Sequence, residues 1–370
     1  MTTLEDAQNR VAIADPVVEA PEHEAVARVL DSGQLAAGPE VADFETEFAS
    51  YCSTDHAVAT ANGTAALHTA LAALGIGEGD AVVTTPFTFV ATANAIRFVG
   101  AEPVFADVDP DTLTLDPESV AETVRAREGD VAAIVAVHLY GRPADLDGLA
   151  TVADDCGAAL VEDAAQAHGA TYRGEAVGAV GDVGCFSFYP TKNMTTGEGG
   201  MVVTDRDDVA ERAASFVDHG RNGRNRHDRL GHNFRLSSVA AAIGRVQLDR
   251  LPSLVAGRRE HARALTDGLS GTGLDLPREP DDGTHAYNQY TVRTDHRDDL
   301  AAHLDDAGVD TAVYYPTPIH RQPAYDAISC SAPVAESAAD EVLSLPVHPR
   351  LSDSELERIV AAVDAWDRPD

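Results

Sequence analysis

Short apolar runs alternate along this chain with stretches in which apolar residues recur every three or four positions. The runs predict buried strands and the stretches predict amphipathic helices. Helices are predicted at Thr64–Leu74, Ala91–Val99 and Leu146–Cys156, and strands at His56–Thr60, Ala81–Thr85, Pro103–Ala106, Val131–Val137, Ala159–Glu162, Val183–Phe188 and Gly200–Thr204. Such alternation is typical of a mostly parallel sheet with helices on both faces, so we expect an α/β fold.

A second, smaller unit is expected after this region. The apolar positions of Ser237–Leu251 predict a helix that ends before Pro252. We therefore expect a large domain at 1–251 and a smaller α/β domain at 252–370, a normal size for one domain. Predicted elements of the smaller domain are a strand at Tyr287–Arg293 and helices at Arg297–Ala307 and Ser352–Ala365.

Charge and composition exclude several classes of partner. The 61 acidic residues outnumber the 27 lysines and arginines, and the net charge of -34 repels nucleic acid and anionic membranes. No apolar run approaches the roughly 18 residues of a membrane helix, and the first ten residues show no signal-peptide pattern. The four cysteines lie far apart, without metal-ligand spacing. These features predict a reduced cytoplasmic protein without a metal centre.

Only one of the 27 basic residues is a lysine, Lys192, and it lies in a glycine-rich turn after an aromatic strand. Arginine keeps its proton at working pH, whereas a desolvated lysine can become a neutral amine and form a Schiff base. A chain that retains a single lysine here suggests an amine needed for chemistry. The alternative is a surface lysine that survived by chance.

Four further features have a chemical and an ordinary interpretation. Gly63 and Thr64 open a helix directly after a strand, where backbone amides can hold a phosphate, or they form a simple turn. Asp163 ends a strand and could bind a metal, a ribose or a protonated heterocycle, or cap the chain. Ser187 could bind an anion or satisfy the backbone. Phe89 could stack on a flat cofactor or belong to the core.

In this order the parts match what pyridoxal 5'-phosphate (PLP) needs: a lysine for its carbonyl, an acid for its pyridine nitrogen, and a helix end with hydroxyls for its phosphate. Nucleotide-binding loops are not indicated. The GxxxxGK[ST] pattern is absent, and Gly178, Gly181 and Gly184 do not fit a dinucleotide fingerprint.

Six motifs carry a family resemblance: GTAAL at 63–67, EDAAQAHG at 162–169, FSFxxxK with GEGG at 186–200, NFRL at 233–236, a tyrosine and a histidine at 315 and 320, and LPVHP at 345–349. In order and spacing they resemble the DegT/DnrJ/StrS-type nucleotide-sugar aminotransferases, from about Gly38 to the C-terminus. The resemblance implies the PLP fold type I, with a mostly parallel seven-stranded sheet, and a homodimer with composite active sites.

The resemblance also implies roles for individual residues. Lys192 is similar to the lysine that binds PLP covalently and moves the proton during the reaction. Asp163 resembles the partner of the pyridinium nitrogen, and Gln166 the residue near the phenolic oxygen of the cofactor. Phe89 resembles the aromatic residue that stacks on the ring.

The phosphate contacts implied in the same way are Gly63, Thr64 and Ser187, with Asn233 supplied by the neighbouring subunit. His320 and Tyr189 are expected near the substrate. Tyr189 stands where many relatives have histidine, so the surroundings of the sugar are not fixed by the resemblance.

An arginine cluster between 219 and 232 stands out in an acidic chain. Arg224 and Arg226 are its candidates for clamping the diphosphate of a substrate, because a guanidinium binds phosphate through two parallel hydrogen bonds. The alternative is a loop that neutralises nearby acids such as Asp228.

Together these observations predict a PLP-dependent aminotransferase that moves an amino group from an amino acid, expected to be glutamate, to a keto carbon of a nucleotide-linked sugar. The run 191–200 resembles members that act at carbon 4, and the product is expected to serve surface-glycan synthesis. Two alternatives are a PLP-dependent sugar dehydratase, against which Lys192 argues, and a PLP-binding regulatory protein without turnover.

The acidic, lysine-poor composition is typical of proteins from a salt-saturated cytoplasm, where counterions screen the repulsion between acids. We expect the protein to lose structure after transfer from molar salt to low-salt buffer. Circular dichroism on matched samples measures this, and a spectrum unchanged by desalting would contradict the prediction.

Overall fold

A computed structural model describes residues 10–128, 130–328 and 330–368. Its α-helices are α1 (Ala20–Ser32), α2 (Pro39–Cys52), α3 (Gly63–Leu74), α4 (Ala91–Phe98), α5 (Pro117–Ala126), α6 (Leu146–Cys156), α7 (Asp207–Val217), α8 (Ser238–Leu269), α9 (Arg297–Asp306), α10 (Pro333–Glu341) and α11 (Asp353–Asp364). Its strands are β1 (His56–Thr60), β2 (Ala81–Thr84), β3 (Glu102–Phe105), β4 (Ala133–Val137), β5 (Ala159–Asp163), β6 (Thr171–Tyr172), β7 (Glu175–Ala176), β8 (Val183–Ser187), β9 (Gly200–Thr204), β10 (Gly283–Thr284), β11 (Tyr290–Arg293) and β12 (Val342–Leu345).

Seven strands form the main sheet in the order β1-β9-β8-β5-β4-β2-β3. Strand β9 runs antiparallel to both of its neighbours, and the other pairs are parallel. The predicted mostly parallel sheet is therefore confirmed, with each of its seven strands in place. The sequence does not predict the reversed direction of β9. All five of its residues are buried, so its apolar pattern is the same as that of a central parallel strand.

The register of the sheet aligns the ends of three strands. Thr60 at the end of β1 pairs with Gly200, and Gly200 pairs with Ser187 at the end of β8. On the other side of β8, Asp163 at the end of β5 pairs with Cys185. The carboxyl ends of β1, β8 and β5 thus lie along one edge, where ligands bind in sheets of this type.

Both faces of the sheet are buried. Along β8, Cys185 joins the apolar cluster on the α3 side, and Phe186 joins the opposite cluster around Phe44 and Phe48. Because successive side chains of a strand point to opposite faces, an unbroken apolar run serves two cores at once. No helix of the described residues is long and apolar enough to cross a membrane.

The predicted helix end at Leu251 is wrong, because α8 continues through Pro252 to Leu269. A proline inside a helix removes one backbone hydrogen bond, but Leu251 and Leu254 on either side of it are buried, which holds the helix together.

The C-terminal half of α8 packs with β11, β12, α9 and α11 in an apolar cluster of their own. Val11 also belongs to this cluster and pairs with Val309, so the N-terminal stretch reaches the C-terminal part of the chain. The domain boundary at 251/252 stays a prediction.

Glu45 on α2 couples stability to pH. Its carboxylate accepts a 2.8 Å hydrogen bond from the Ala59 amide, and burial raises its pKa from 4.5 to about 7. Between pH 4.5 and pH 7 the folded state therefore keeps a proton on Glu45 that the unfolded state has lost. Glu45 thus lowers the free energy of unfolding as the pH rises through this range, by at most about 3 kcal/mol.

Glu45→Gln should flatten that part of the profile of unfolding free energy against pH, measured by denaturant titration. The exposed Glu24→Gln is the control, and equal profiles for the two variants would contradict the prediction.

Candidate active site

Lys192 lies in a tight turn that follows β8. Its amide donates to the Tyr189 carbonyl at 2.9 Å. The Phe188 carbonyl accepts two hydrogen bonds, one from the Thr195 hydroxyl at 2.8 Å and one from the Thr196 amide at 3.1 Å. The turn leaves the side chain of Lys192 partly buried. Burial lowers the pKa of Lys192 to about 8, against the opposing charge of Asp163. The amine is thus far easier to deprotonate than an exposed lysine.

Two consecutive carboxylates on β5 have opposite environments. Glu162 is fully buried and accepts hydrogen bonds at 2.6–2.9 Å from the amides of Gly178, Val180 and Gly181 and from His138 Nε2. Burial acts to raise the pKa of Glu162, but these hydrogen bonds and the nearby His138 together lower it. Glu162 is a satisfied structural anion that ties β5 to the loop before β8.

Asp163 is also buried, with 5% of its surface exposed, but it has fewer donors. One oxygen accepts from the Thr92 hydroxyl at 2.8 Å, and the other from the Ala165 amide at 3.2 Å. Burial raises the pKa of Asp163 despite these bonds and the charge of Lys192. The carboxylate therefore has unused acceptor capacity, and a cationic N–H donor such as a protonated pyridine would stabilise its charged form.

A candidate phosphate cradle, formed by the start of α3, lies beside Ser187. A Cβ atom added to Gly63 would sit 2.6 Å from Ser187 Cβ and 3.0 Å from its hydroxyl oxygen, so only glycine fits there. Asn62 caps α3 by accepting from the Ala65 amide at 2.9 Å. The amides of Gly63 and Thr64 have no partner inside the helix, as at any helix N-terminus. The helix end and the hydroxyl together suit a phosphate.

Gln166, Phe89 and Tyr315 form a group on the Asp163 side of the site. The Gln166 carbonyl accepts from the Tyr140 amide at 2.7 Å, and its NH₂ group donates to the Tyr315 hydroxyl at 3.1 Å. The Phe89 ring lies 5.9 Å from the Tyr315 ring and is 55% exposed, so Phe89 is not a core residue. An open aromatic face beside these polar groups is available for stacking.

Thr92 and Tyr315 contribute contacts to the site that the sequence does not predict. Thr92 is 71 residues from Asp163 along the chain and lies on α4, where its hydroxyl shows no sequence signal. Tyr315 falls in a recognised motif, but its contact with Gln166 depends on two distant segments meeting.

The predicted substrate residues lie at the surface or have protein partners. His320 Nε2 lies 2.8 Å from Glu336 Oε1, and Tyr189 is 48% exposed. Arg226 binds Asp228 at 2.6 Å, as the loop-neutralising alternative expects. Arg224 is exposed and makes no ion pair within the described part of the chain. Their substrate roles stay predictions.

Asn233 is exposed and forms a backbone bridge with Asp218. Its implied phosphate contact depends on a neighbouring subunit, and it likewise stays a prediction.

Comparison with known proteins gives this arrangement its context. Residues 16–364 match the model of the DegT/DnrJ/EryC1/StrS aminotransferase family. The chain belongs to this family. It is 44% identical over 347 residues, covering 92% of this chain and 91% of the relative, to a dTDP-3-amino-3,4,6-trideoxy-alpha-D-glucose transaminase of Streptomyces venezuelae. It is also 40% identical to a "pleiotropic regulatory protein" of Geobacillus stearothermophilus, covering 91% of this chain and 93% of the relative.

A solved structure supports the same assignment. The crystal structure of S. venezuelae DesV in complex with a ketimine intermediate superposes with a TM-score of 0.91 at 44% identity, over 94% of this chain and 95% of that chain. The protein is thus a PLP-dependent aminotransferase. The residues fit the cofactor: Gly63 brings the N-terminus of α3 close to the Ser187 hydroxyl, Asp163 accepts no hydrogen bond from a cation, and the amine of Lys192 has a lowered pKa.

Gly63→Ala tests the phosphate cradle. The new methyl group would overlap Ser187, so the start of α3 and the hydroxyl must move apart; losing one hydrogen bond to the charged phosphate, about 1.5–3 kcal/mol, would raise the Kd for PLP about 10- to 150-fold. Gly77→Ala is the matched control, because a Cβ atom there meets nothing closer than 3.7 Å. Titration of each apoprotein with PLP measures the effect, beside a thermal melt to detect unfolding. Equal affinity in both folded variants would contradict the assignment.

Proposed function

We propose that this protein transfers an amino group from glutamate to a keto carbon of a nucleotide-linked sugar. The observation that carries the proposal is the position of its single lysine, whose amine is partly desolvated and electrostatically coupled to the under-satisfied carboxylate of Asp163. The transaminase of S. venezuelae named above acts, by its name, on a dTDP-linked sugar, which supports a substrate of this class.

Each residue has a distinct part in this proposal. Bound PLP supplies an electron-withdrawing ring. Lys192 holds it and, with a pKa near 8, takes and returns a proton at Nζ close to neutral pH. Asp163 would pair with the protonated ring nitrogen, and the Thr92 hydroxyl holds its carboxylate in place by a 2.8 Å hydrogen bond. Gln166 is held by Tyr140 and Tyr315, so its NH₂ group has a defined direction.

For the position of amination we propose carbon 3. The S. venezuelae relative, at 44% identity, carries a 3-amino sugar in its name. Carbon 4, which the run 191–200 favours, is the alternative outcome. Offering the purified protein nucleotide-linked 3-keto and 4-keto sugars separately distinguishes the two.

We further propose a homodimer, because the implied phosphate contact of Asn233 needs a second subunit.

A second candidate function is a PLP-binding regulator without turnover, which the name of the Geobacillus relative favours. Such a protein would bind the cofactor but give no response to amino acids. A dehydratase would release no keto acid from glutamate.

One spectroscopic experiment tests the central proposal. The protein with PLP should show a visible absorbance band that bleaches with glutamate, releases 2-oxoglutarate and returns on adding the keto sugar. Lys192→Ala should abolish the band and lower transamination about a thousandfold or more, since no other lysine exists to replace it. A wild-type band that ignores glutamate would favour the regulator. A band retained in Lys192→Ala would remove the proposed role of the lysine.

A further inference from the structure

Arg258 is unusual among the arginines of this chain. It is only 7% exposed, and among the described residues no other arginine is buried to this extent. In a protein with 61 acidic residues, a buried guanidinium would be expected to lie against a carboxylate. Within the described residues Arg258 makes no such ion pair.

The hydrogen bonds of Arg258 leave one edge of its guanidinium free. Nη1 donates to the backbone carbonyls of Tyr287 and Asn288 at 3.2 and 3.3 Å. Nε is buried without a partner, and both hydrogen bonds of the guanidinium to described residues come from Nη1, not from Nη2. The Nε–Nη2 edge presents two parallel N–H groups, the geometry that binds a carboxylate through both of its oxygens.

Arg258 and Lys192 line the same cleft, whose remaining walls include Thr191, Asn193 and the N-terminal segment 14–17. The cleft has room for about one water molecule, roughly 20 Å³. Val17 is fixed there by Gln247, which donates to its carbonyl at 2.7 Å. A larger ligand would enter by displacing this segment.

The charges around the cleft favour an anion. Asp15 also lines it, but its carboxylate is already bound to Arg350 at 3.1 Å. Burial lowers the pKa of His168 to about 3 and also lowers the pKa of His348. The positive charge of Arg258 adds to the lowering of both values. The guanidinium is thus left without a countercharge in a partly desolvated place, where each unpaired N–H group is costly.

We propose that the Nε–Nη2 edge of Arg258 binds a carboxylate of the amino donor beside Lys192. This inference rests on the proposed transamination and adds to it a residue that recognises the donor. A carboxylate fits because one guanidinium edge neutralises one negative charge, whereas the Gly63–Ser187 cradle serves the phosphate of the cofactor at another part of the site.

The test measures binding of 2-oxoglutarate and of glutarate to the PLP-loaded enzyme, by absorbance and by calorimetry; both ligands carry the donor's carboxylates but no amine, so neither reacts with this form. Arg258→Gln should raise both dissociation constants about 30-fold or more, because an amide replaces a charged pair of donors. Arg258→Lys keeps the charge without the fork and should lie between wild type and Arg258→Gln. Arg259→Lys is the control: its residue follows on the same helix, is partly exposed and lies 3.6 Å from Glu279, so binding should change less than twofold.

A purely structural role for Arg258 gives a different result. In that case the loss of its bonds to Tyr287 and Asn288 lowers the melting temperature but leaves both dissociation constants unchanged, which overturns the inference. If neither variant keeps the cofactor band, a crystal of wild-type holoenzyme with 2-oxoglutarate decides. The inference expects carboxylate oxygens about 2.8 Å from Nε and Nη2, and a carboxylate bound elsewhere overturns it.

The failure of this inference is distinguishable from failure of the proposed function. If wild-type enzyme responds to no amino acid, transamination itself is wrong. If it responds to glutamate and the Arg258 variants respond equally well, only the carboxylate subsite is wrong.

Discussion

The candidate active site depends on a buried carboxylate, Asp163, that accepts few hydrogen bonds. Asp163 accepts two hydrogen bonds, one from a hydroxyl and one from an amide. Glu162, the preceding residue, accepts four, three from amides and one from an imidazole. An incompletely paired buried charge is unfavourable until a cation meets it. The protein alone offers Lys192 as the nearby positive charge, and a protonated cofactor ring would complete the pairing. Binding of a cofactor with a protonated ring would therefore supply the hydrogen bond and the positive charge that the buried Asp163 carboxylate lacks.

The sequence predicts most of this site because its parts follow strand ends. Apolar runs mark the strands, and parallel strands bring their carboxyl ends together, so Asp163, Ser187 and the start of α3 are expected at one edge. The register confirms that Thr60, Gly200 and Ser187 lie side by side. Local patterns suffice here because each residue has its position fixed by its own strand.

Contacts that join distant segments could not be predicted in this way. The bond from Thr92 to Asp163, the bond from Gln166 to Tyr315 and the pair of His320 with Glu336 each depend on how helices and loops pack. The passage of α8 through Pro252 has the same origin, since tertiary burial on both sides overrides a local helix-breaking signal.

The distribution of arginines follows from the acidic composition. Arg245 lies within 3.1 Å of three acids on α2, and Arg250 pairs with Glu19 and Glu22 near the start of α1. Arg245 and its three partners are partly exposed, and pairs of this kind contribute about 0–1 kcal/mol of free energy each. A field of net charge -34 also repels anionic substrates. If the proposed substrates, a carboxylate donor and a nucleotide-linked sugar, are correct, the site needs cations that no acid has already neutralised, and Arg258, which is buried without an acidic partner among the described residues and lines a cleft with Lys192, would meet that need.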